Sequence, residues 1–289
     1  MPKTVRNLPY FDLLLKLLED GNPKVDLAFG RHVHWGYWPK PSQALNSPED
    51  FRQAAEQLTR EVYGAAQVSN GQTVLDVGCG FGGTIASLNE QFLQMDLVGL
   101  NIDARQLERA REKVAARDTN AVRFDEGCAS RLPYPDQSFD VVLAVECIFH
   151  FPGRRQFFQE AFRVLKPGGR LAISDFVPVR WLLPSLWLKS AAGIPFYGHF
   201  DLRCTAGAYR KLGTEVGFKS QSERDITANT IPTYAFLASL KREFPMNLAA
   251  SSETLVLAWM SRLRLIRYLI LSFEKESGSD RLVADHHTR

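Results

Sequence analysis

The 289 residues suffice for one α/β domain with appendages, and a hydrophobic share of 45% is that of a globular protein. The 35 basic and 32 acidic residues nearly cancel, to +3, and form no clustered basic face, so no nucleic-acid partner is expected. A signal-peptide core, an apolar run of the ~18 residues that span a bilayer and a Cys-x-x-Cys pair are all absent, so Cys79, Cys128, Cys147 and Cys204 read as isolated thiols of a cytoplasmic protein without integral membrane contact.

Residues 1–68 are expected to form a helical cap. Leu8, Phe11, Leu14, Leu15 and Leu18 recur at helical spacing and predict a helix over Leu8–Glu19, and a second is predicted over Pro48–Gln67. Between them runs Arg31-His-Val-His-Trp-Gly-Tyr-Trp-Pro39, an aromatic loop. From 69 to 175 short β-rich runs alternate with helical stretches. Strands are predicted over Thr73–Val77, Asp96–Ile102, Ala121–Asp125, Phe139–Glu146 and Arg170–Asp175, and helices over Gly83–Gln91, Ala104–Ala116 and Arg154–Leu165. Apolar strands alternating with helices imply a parallel sheet covered on both faces. Residues 176–205, rich in Trp, Leu, Pro and Gly, are expected to form a lid insertion. Residues 206–276 should return to the core with a helix over Ala206–Val216, a strand over Gly217–Asp225 and helices over Ile231–Phe244 and Glu253–Phe273. The last rests on Leu255, Trp259, Leu263, Ile266, Ile270 and Phe273 at spacings of three and four, which read as a packed amphipathic helix. Arg262, Arg264 and Arg267 do not by themselves make it a dimer or membrane-surface helix. Residues 277–289 form a polar tail expected to be mobile.

The strongest signal is Thr73-Val-Leu-Asp-Val-Gly-Cys-Gly-Phe-Gly-Gly83, a strand that ends in a glycine-rich turn and opens a helix. Such a turn lets the backbone approach a ligand, and its N–H groups with the helix N-terminus favour a phosphate or carboxylate. Gly78, Gly80 and Gly83 also satisfy the dinucleotide fingerprint. Asp76 separates the two readings. Beside the pyrophosphate of NAD it would be repelled, whereas beside S-adenosylmethionine it accepts from the methionyl ammonium.

From about Gln72 to Asp175 the chain resembles the class I S-adenosylmethionine-dependent methyltransferase family. Asp76-Val-Gly-Cys-Gly-Phe-Gly82 matches its first motif, and Leu100-Asn-Ile-Asp-Ala-Arg-Gln106, Glu126-Gly-Cys-Ala129 and Leu165-Lys-Pro-Gly-Gly169 follow in order. The resemblance implies a Rossmann-like α/β fold with a mostly parallel seven-stranded sheet flanked by helices. It implies that S-adenosylmethionine is held by Asp76, Gly78, Gly80, Gly82, Asn101, Ile102 and Gln106. Asn101 stands where the family usually has an acidic residue for the ribose, and an amide can still donate and accept there. Cys128 stands where the family usually has an Asp for the adenine amino group, which leaves the Ala129 N–H to reach the ring. Glu146 is expected to face the methionyl end. The outline, with its His-Val-His-Trp-Gly-Tyr-Trp run, is similar to natural-product O-methyltransferases of cyanobacteria.

Methyl transfer is an in-line displacement, so the protein must align a nucleophile, exclude water and take up a proton where needed. In this family the fourth and fifth strands are neighbours, so His150 and Asp175 are expected to converge, with His150 as general base and Asp175 as its partner. His32 and His34 lack a third ligand nearby, and no metal is expected. Trp35 and Tyr37 of the aromatic loop and Trp181, Trp187, Phe196 and Tyr197 of the insertion are expected to surround a bulky, partly apolar acceptor. The leading reading is O-methylation of a small natural product by a monomer or homodimer. C- or N-methylation of a lipid, isoprenoid or amine is the alternative, and a cofactor-binding module without turnover is the reading from another class.

Overall fold

The computed structural model describes residues 8–183, 201, 203–240 and 248–276. Three helices come first: α1 (Pro9–Glu19), α2 (Pro23–Phe29) and α3 (Pro48–Ala65). The short α2 escaped the sequence reading. Asn22 starts it by accepting from the N–H groups of Lys24 and Val25 at 3.2 and 3.1 Å, with Pro23 in the first turn. Ser47 and Pro48 start α3 in the same way.

The α/β part then runs β1 (Thr73–Val77), α4 (Gly83–Gln91), β2 (Asp96–Asn101), α5 (Ala104–Lys113), β3 (Ala121–Glu126), β4 (Phe139–Val145), α6 (Arg154–Val164) and β5 (Leu165–Pro178). It closes with α7 (Ala206–Val216), β6 (Phe218–Asp225), the single turn α8 (Thr227–Thr230), α9 (Pro232–Ser239), α10 (Leu248–Arg262) and β7 (Ile266–Lys275). The sheet has seven strands in the order β3-β2-β1-β4-β5-β7-β6. All pairs are parallel except β5 with β7 and β6 with β7. This is the Rossmann-like, mostly parallel seven-stranded arrangement that the resemblance implies. No helix among the described residues is long and apolar enough to cross a membrane.

The strands alternate their side chains between two apolar layers. Leu75, Val142, Ala144, Leu171 and Ile173 face α6 and α7 through Phe157, Phe158 and Tyr209. Val74, Leu97, Val141, Leu143 and Ala172 face α3, α4 and α5 through Leu58, Val62, Ile85, Leu88 and Leu107. Every side chain in these two sets is essentially inaccessible to water.

The C-terminal part corrects the sequence reading. The predicted helix over Glu253–Phe273 is a helix only to Arg262. The chain turns at Leu263–Leu265, with Arg264 at φ 55°, and returns as a strand. Tyr268 and Ile270 enter one layer while Leu269, Leu271 and Phe273 enter the other. Burial on both faces made the run apolar throughout, and such a run satisfies helical and strand periods alike. The predicted helix over Ile231–Phe244 is described to Ser239, and residues 241–247 lie outside the described residues.

Candidate active site

Strands β1, β2 and β4 are parallel, so their C-terminal ends share one edge of the sheet. A cavity of about 430 Å³ lies there, within the usual size of a small-molecule site. Its floor is the turn from β1 to α4. Its walls include Asn101, Ile102 and Gln106 after β2, Cys128 and Ala129 after β3, and Glu146 and His150 after β4. Leu8, Tyr10, Phe11 and Asp12 at the start of α1 cover it, and Arg31–His34 close one side.

Asp76 stands at the centre of the floor. It is 1% exposed, and its Oδ1 has no hydrogen-bond partner among the described residues. Burial pushes its carboxyl up to about 7, against a bond from Thr84. A buried orphan acceptor is costly unless a ligand supplies the donor. An ammonium group would satisfy it, whereas a pyrophosphate would not.

The glycines divide into two kinds. Gly80, at φ +54°, lines the cavity, and a Cβ there would stand in open space, its nearest neighbour being Val33 at 4.0 Å. A side chain at 80 would fill the cavity itself. Gly82, at φ +79°, is not a lining residue. A Cβ there would meet the Phe124 ring at 2.9 Å, so this glycine serves packing between the turn and β3 rather than ligand contact, against expectation. Gly78, at φ +80°, lines the cavity and also lies against Cys147, where a Cβ would come within 2.8 Å.

At the end of β2 the Asn101 side-chain N–H donates to Gln106 Oε1 at 3.0 Å, and Asn101 Oδ1 accepts from the Ile102 N–H at 2.7 Å. The amide pair is thereby held at the cavity wall. Asp103 caps α5 and takes a second bond from Arg105, whose other branch reaches Asp12 of α1 at 2.9 Å. That clasp ties the helical cover to the wall, a link with no local signature in the sequence. Cys128 and Ala129 are both lining residues, and Cys128 is also bridged to Arg131 through the backbone.

Glu146 is held at φ 50° beside the floor. Its carboxyl accepts from the Trp35 N–H at 3.0 Å and from the Tyr268 hydroxyl, and burial pushes it up to about 8. At that value the carboxyl carries its proton at neutral pH. Ser174 completes the group by accepting from the Glu146 N–H at 3.0 Å. Tyr268 has no signature of a site neighbour in the sequence, because its run fits a helical period as well as a strand's.

His150 ends a short 3-10 turn after β4, and its ring stacks on Tyr10 with 6.2 Å between centroids. Its Nε2 lies 3.3 Å from the Tyr10 hydroxyl. The expected pairing of His150 with Asp175 is corrected. Asp175 is fully buried, does not line the cavity, and its Oδ2 accepts from Arg154 at 3.1 Å and from the Tyr209 hydroxyl. Arg154 also donates to Asp201 at 2.7 Å, so this cluster ties the chain at Asp201 to β5 and α7. Strand ends that are neighbours need not aim their side chains at one point, which is where the expectation failed.

The aromatic loop is likewise re-assigned. Trp35 packs edge-on against Phe176 and Tyr234, at 5.0 and 4.3 Å, and Tyr37 packs into the layer beneath. Neither lines the cavity; they anchor the loop. His32 and His34 do line it, as members of a buried polar network. His32 meets Glu56 at 2.8 Å, while His34 meets the Trp35 carbonyl at 2.9 Å and the Thr59 hydroxyl at 3.0 Å. Burial, then the neighbouring His32, lowers His34 to about 3 and keeps it neutral. For Glu56, burial alone would act upward, yet the bonds from His32 and Ser87 and the charge of Arg31 bring it down to about 2. Among the described residues no group of three or more His, Cys, Asp or Glu is disposed to hold a metal ion. Trp181 is 69% exposed and does not line this cavity, and Trp187, Phe196 and Tyr197 lie outside the described residues.

The residues present fit S-adenosylmethionine on these observations: the orphan acceptor of Asp76, the open face of Gly80, and the fixed amide pair of Asn101 and Gln106. Comparison with known proteins agrees. A family model described as a methyltransferase domain matches residues 75–173. The chain is 37% identical to the 27-O-demethylrifamycin SV methyltransferase of Amycolatopsis mediterranei over 222 residues, which are 73% of this chain and 75% of that one. It is 41% identical to methyltransferase GfsG of Streptomyces halstedii over 160 residues, or 55% of this chain, and spans about half of that relative's length, 56%. Among solved structures it is similar to the [4+2]-cyclase SpnF, with a TM-score of 0.72 at 24% identity over 93% of this chain and 95% of that one, a likeness of fold.

Proposed function

This chain belongs to the class I S-adenosylmethionine-dependent methyltransferases, and from that premise we propose that it methylates a hydroxyl oxygen of a small natural product, with His150 as general base. S-adenosylmethionine, when bound, supplies a methyl group activated on a sulfonium. Asp76 would hold its ammonium, the turn around Gly78 and Gly80 would take its carboxylate, and Asn101 with Gln106 would hold the ribose. Cys128 and Ala129 would flank the adenine.

The observation that carries the reading is the place of His150: in the cavity wall with Asp76, with Nε2 against a hydroxyl group, that of Tyr10. Nε2 accepts from that hydroxyl when the imidazole is neutral and its other nitrogen carries the proton. An acceptor hydroxyl set in the position of the Tyr10 hydroxyl would pass its proton to Nε2 as its oxygen takes the methyl group. Leu8 and Phe11 would exclude water above it. A relative named for 27-O-demethylrifamycin SV supports oxygen as the accepting atom.

The test is transfer of an isotope-labelled methyl group to a panel of hydroxylated natural products, with the product read by mass and carbon NMR. A labelled methoxy signal is expected. Label found only on carbon or nitrogen would replace this reading with the C- or N-methylation alternative.

A further inference from the structure

Helix α10 is apolar on two faces, with Leu257 and Met260 packed against the core. Its small residues Thr254, Ala258 and Ser261 are buried, while Leu255, Val256, Trp259 and, just past its end, Leu263 stand exposed. Leu255, Trp259 and Leu263 follow at intervals of four and so lie in one line along the surface. An ordinary surface helix turns its large apolar residues to the core. Here Trp259 is 60% exposed, and a second tryptophan joins the ridge. The Val179 N–H donates to the Leu265 carbonyl at 2.9 Å, and Pro178 pairs with Ile266, so Trp181 is carried beside the end of α10.

Past Glu253 the charges along this ridge have one sign. Arg180, Arg262 and Arg264 are exposed, and none has an ion-pair partner among the described residues. No acidic residue occurs between Glu253 and Glu274. A second copy meeting this ridge about a twofold axis would set these arginines against their own kind. An anionic surface would pair with them.

We propose that this ridge docks the protein on the surface of an anionic lipid bilayer. Trp181, Trp259 and Leu263 enter the headgroup layer, the depth that amphipathic indole rings prefer. Arg180, Arg262 and Arg264 reach the lipid phosphates with their long side chains. The ridge lies at the C-terminal end of β5, the same edge of the sheet as the cavity, so docking holds the active site near the phase in which apolar acceptors concentrate. The inference does not depend on which atom is methylated.

Sedimentation of the full chain with vesicles tests it, using phosphatidylcholine alone or in equal parts with phosphatidylglycerol, at low and high salt. Binding to the mixed vesicles is expected, weakening with salt, with little binding to the neutral ones. Trp259→Ser with Leu263→Ser, and separately Arg180→Gln with Arg262→Gln and Arg264→Gln, should each lower partition about tenfold or more while affinity for S-adenosylhomocysteine in solution stays unchanged. The proposal is overturned by no binding to the mixed vesicles, by equal binding to both kinds, or by binding that both variants retain. It is also overturned by a concentration-dependent dimer that Trp259→Ser with Leu263→Ser dissociates.

Discussion

Asp76 would carry two opposed demands. Its burial disfavours the charged form, and the cofactor's ammonium, held there as proposed, would require it. Binding should therefore draw off a proton. The free carboxyl, raised to about 7, is protonated below that value, so affinity for S-adenosylhomocysteine should fall as pH drops through about 7. Calorimetry in buffers of different ionisation enthalpy would read the released proton, and Asp76→Asn should abolish the release. Asp76→Ala should cost about 1.5–3 kcal/mol of binding, the scale of a charge-assisted hydrogen bond. Unchanged affinity in that variant would mean that Asp76 has no part in holding the ligand. Cys128 tests the opposite wall. A thiol accepts weakly, so Cys128→Asp should leave affinity unchanged or increase it. A loss of binding there would show that the loop after β3 does not flank the adenine. Asp76 was legible because it precedes a glycine turn at the end of a strand. Tyr10 was not, because a tyrosine in an amphipathic helix gives no sign of meeting His150 from 140 residues away.

At the scale of elements, the turn between β1 and α4 separates what its glycines do. Gly80→Ala adds a methyl to the cavity, whereas Gly82→Ala drives one into Phe124. Both positions have positive φ, so each replacement carries a backbone cost of roughly 1 kcal/mol or more. Gly80→Ala should lose cofactor affinity out of proportion to stability, and Gly82→Ala should lose stability first. Thermal unfolding together with calorimetry would distinguish them; equal losses of both kinds in the two variants would refute the division. Strands β1 and β4 could be read because each is a short apolar run bounded by glycine, proline or polar turns. The boundary between α10 and β7 could not. Leu263-Arg-Leu265 contains no glycine or proline, and the turn depends on Arg264 adopting a conformation that few residues take.

At the scale of the molecule, a cluster of charge is committed to the interior among the described residues: Arg154 with Asp175, Asp201 and Tyr209. Asp175 is fully buried and the Arg154 side chain is 9% exposed. Removing one partner strands the other, so Arg154→Ala should cost about 3–5 kcal/mol, as for broken buried pairs elsewhere. Chemical denaturation measures this; a cost within that of an exposed pair, about 1 kcal/mol, would contradict it. The cluster also explains why Asp175 misled the sequence reading. An aspartate at a strand end beside a candidate site has the same sequence appearance whether it serves a histidine or anchors a distant segment.

In the proposed reaction one cavity holds the cofactor on Asp76 and presents an acceptor to His150. Kinetics of His150→Ala with an acceptor supplied test this, read as turnover beside the affinity for S-adenosylhomocysteine. Turnover should fall by about 10² or more, the scale of general-base removal, while cofactor affinity stays near that of the unaltered protein. Full turnover in that variant would rule out His150 as the base and leave alignment alone to drive the reaction.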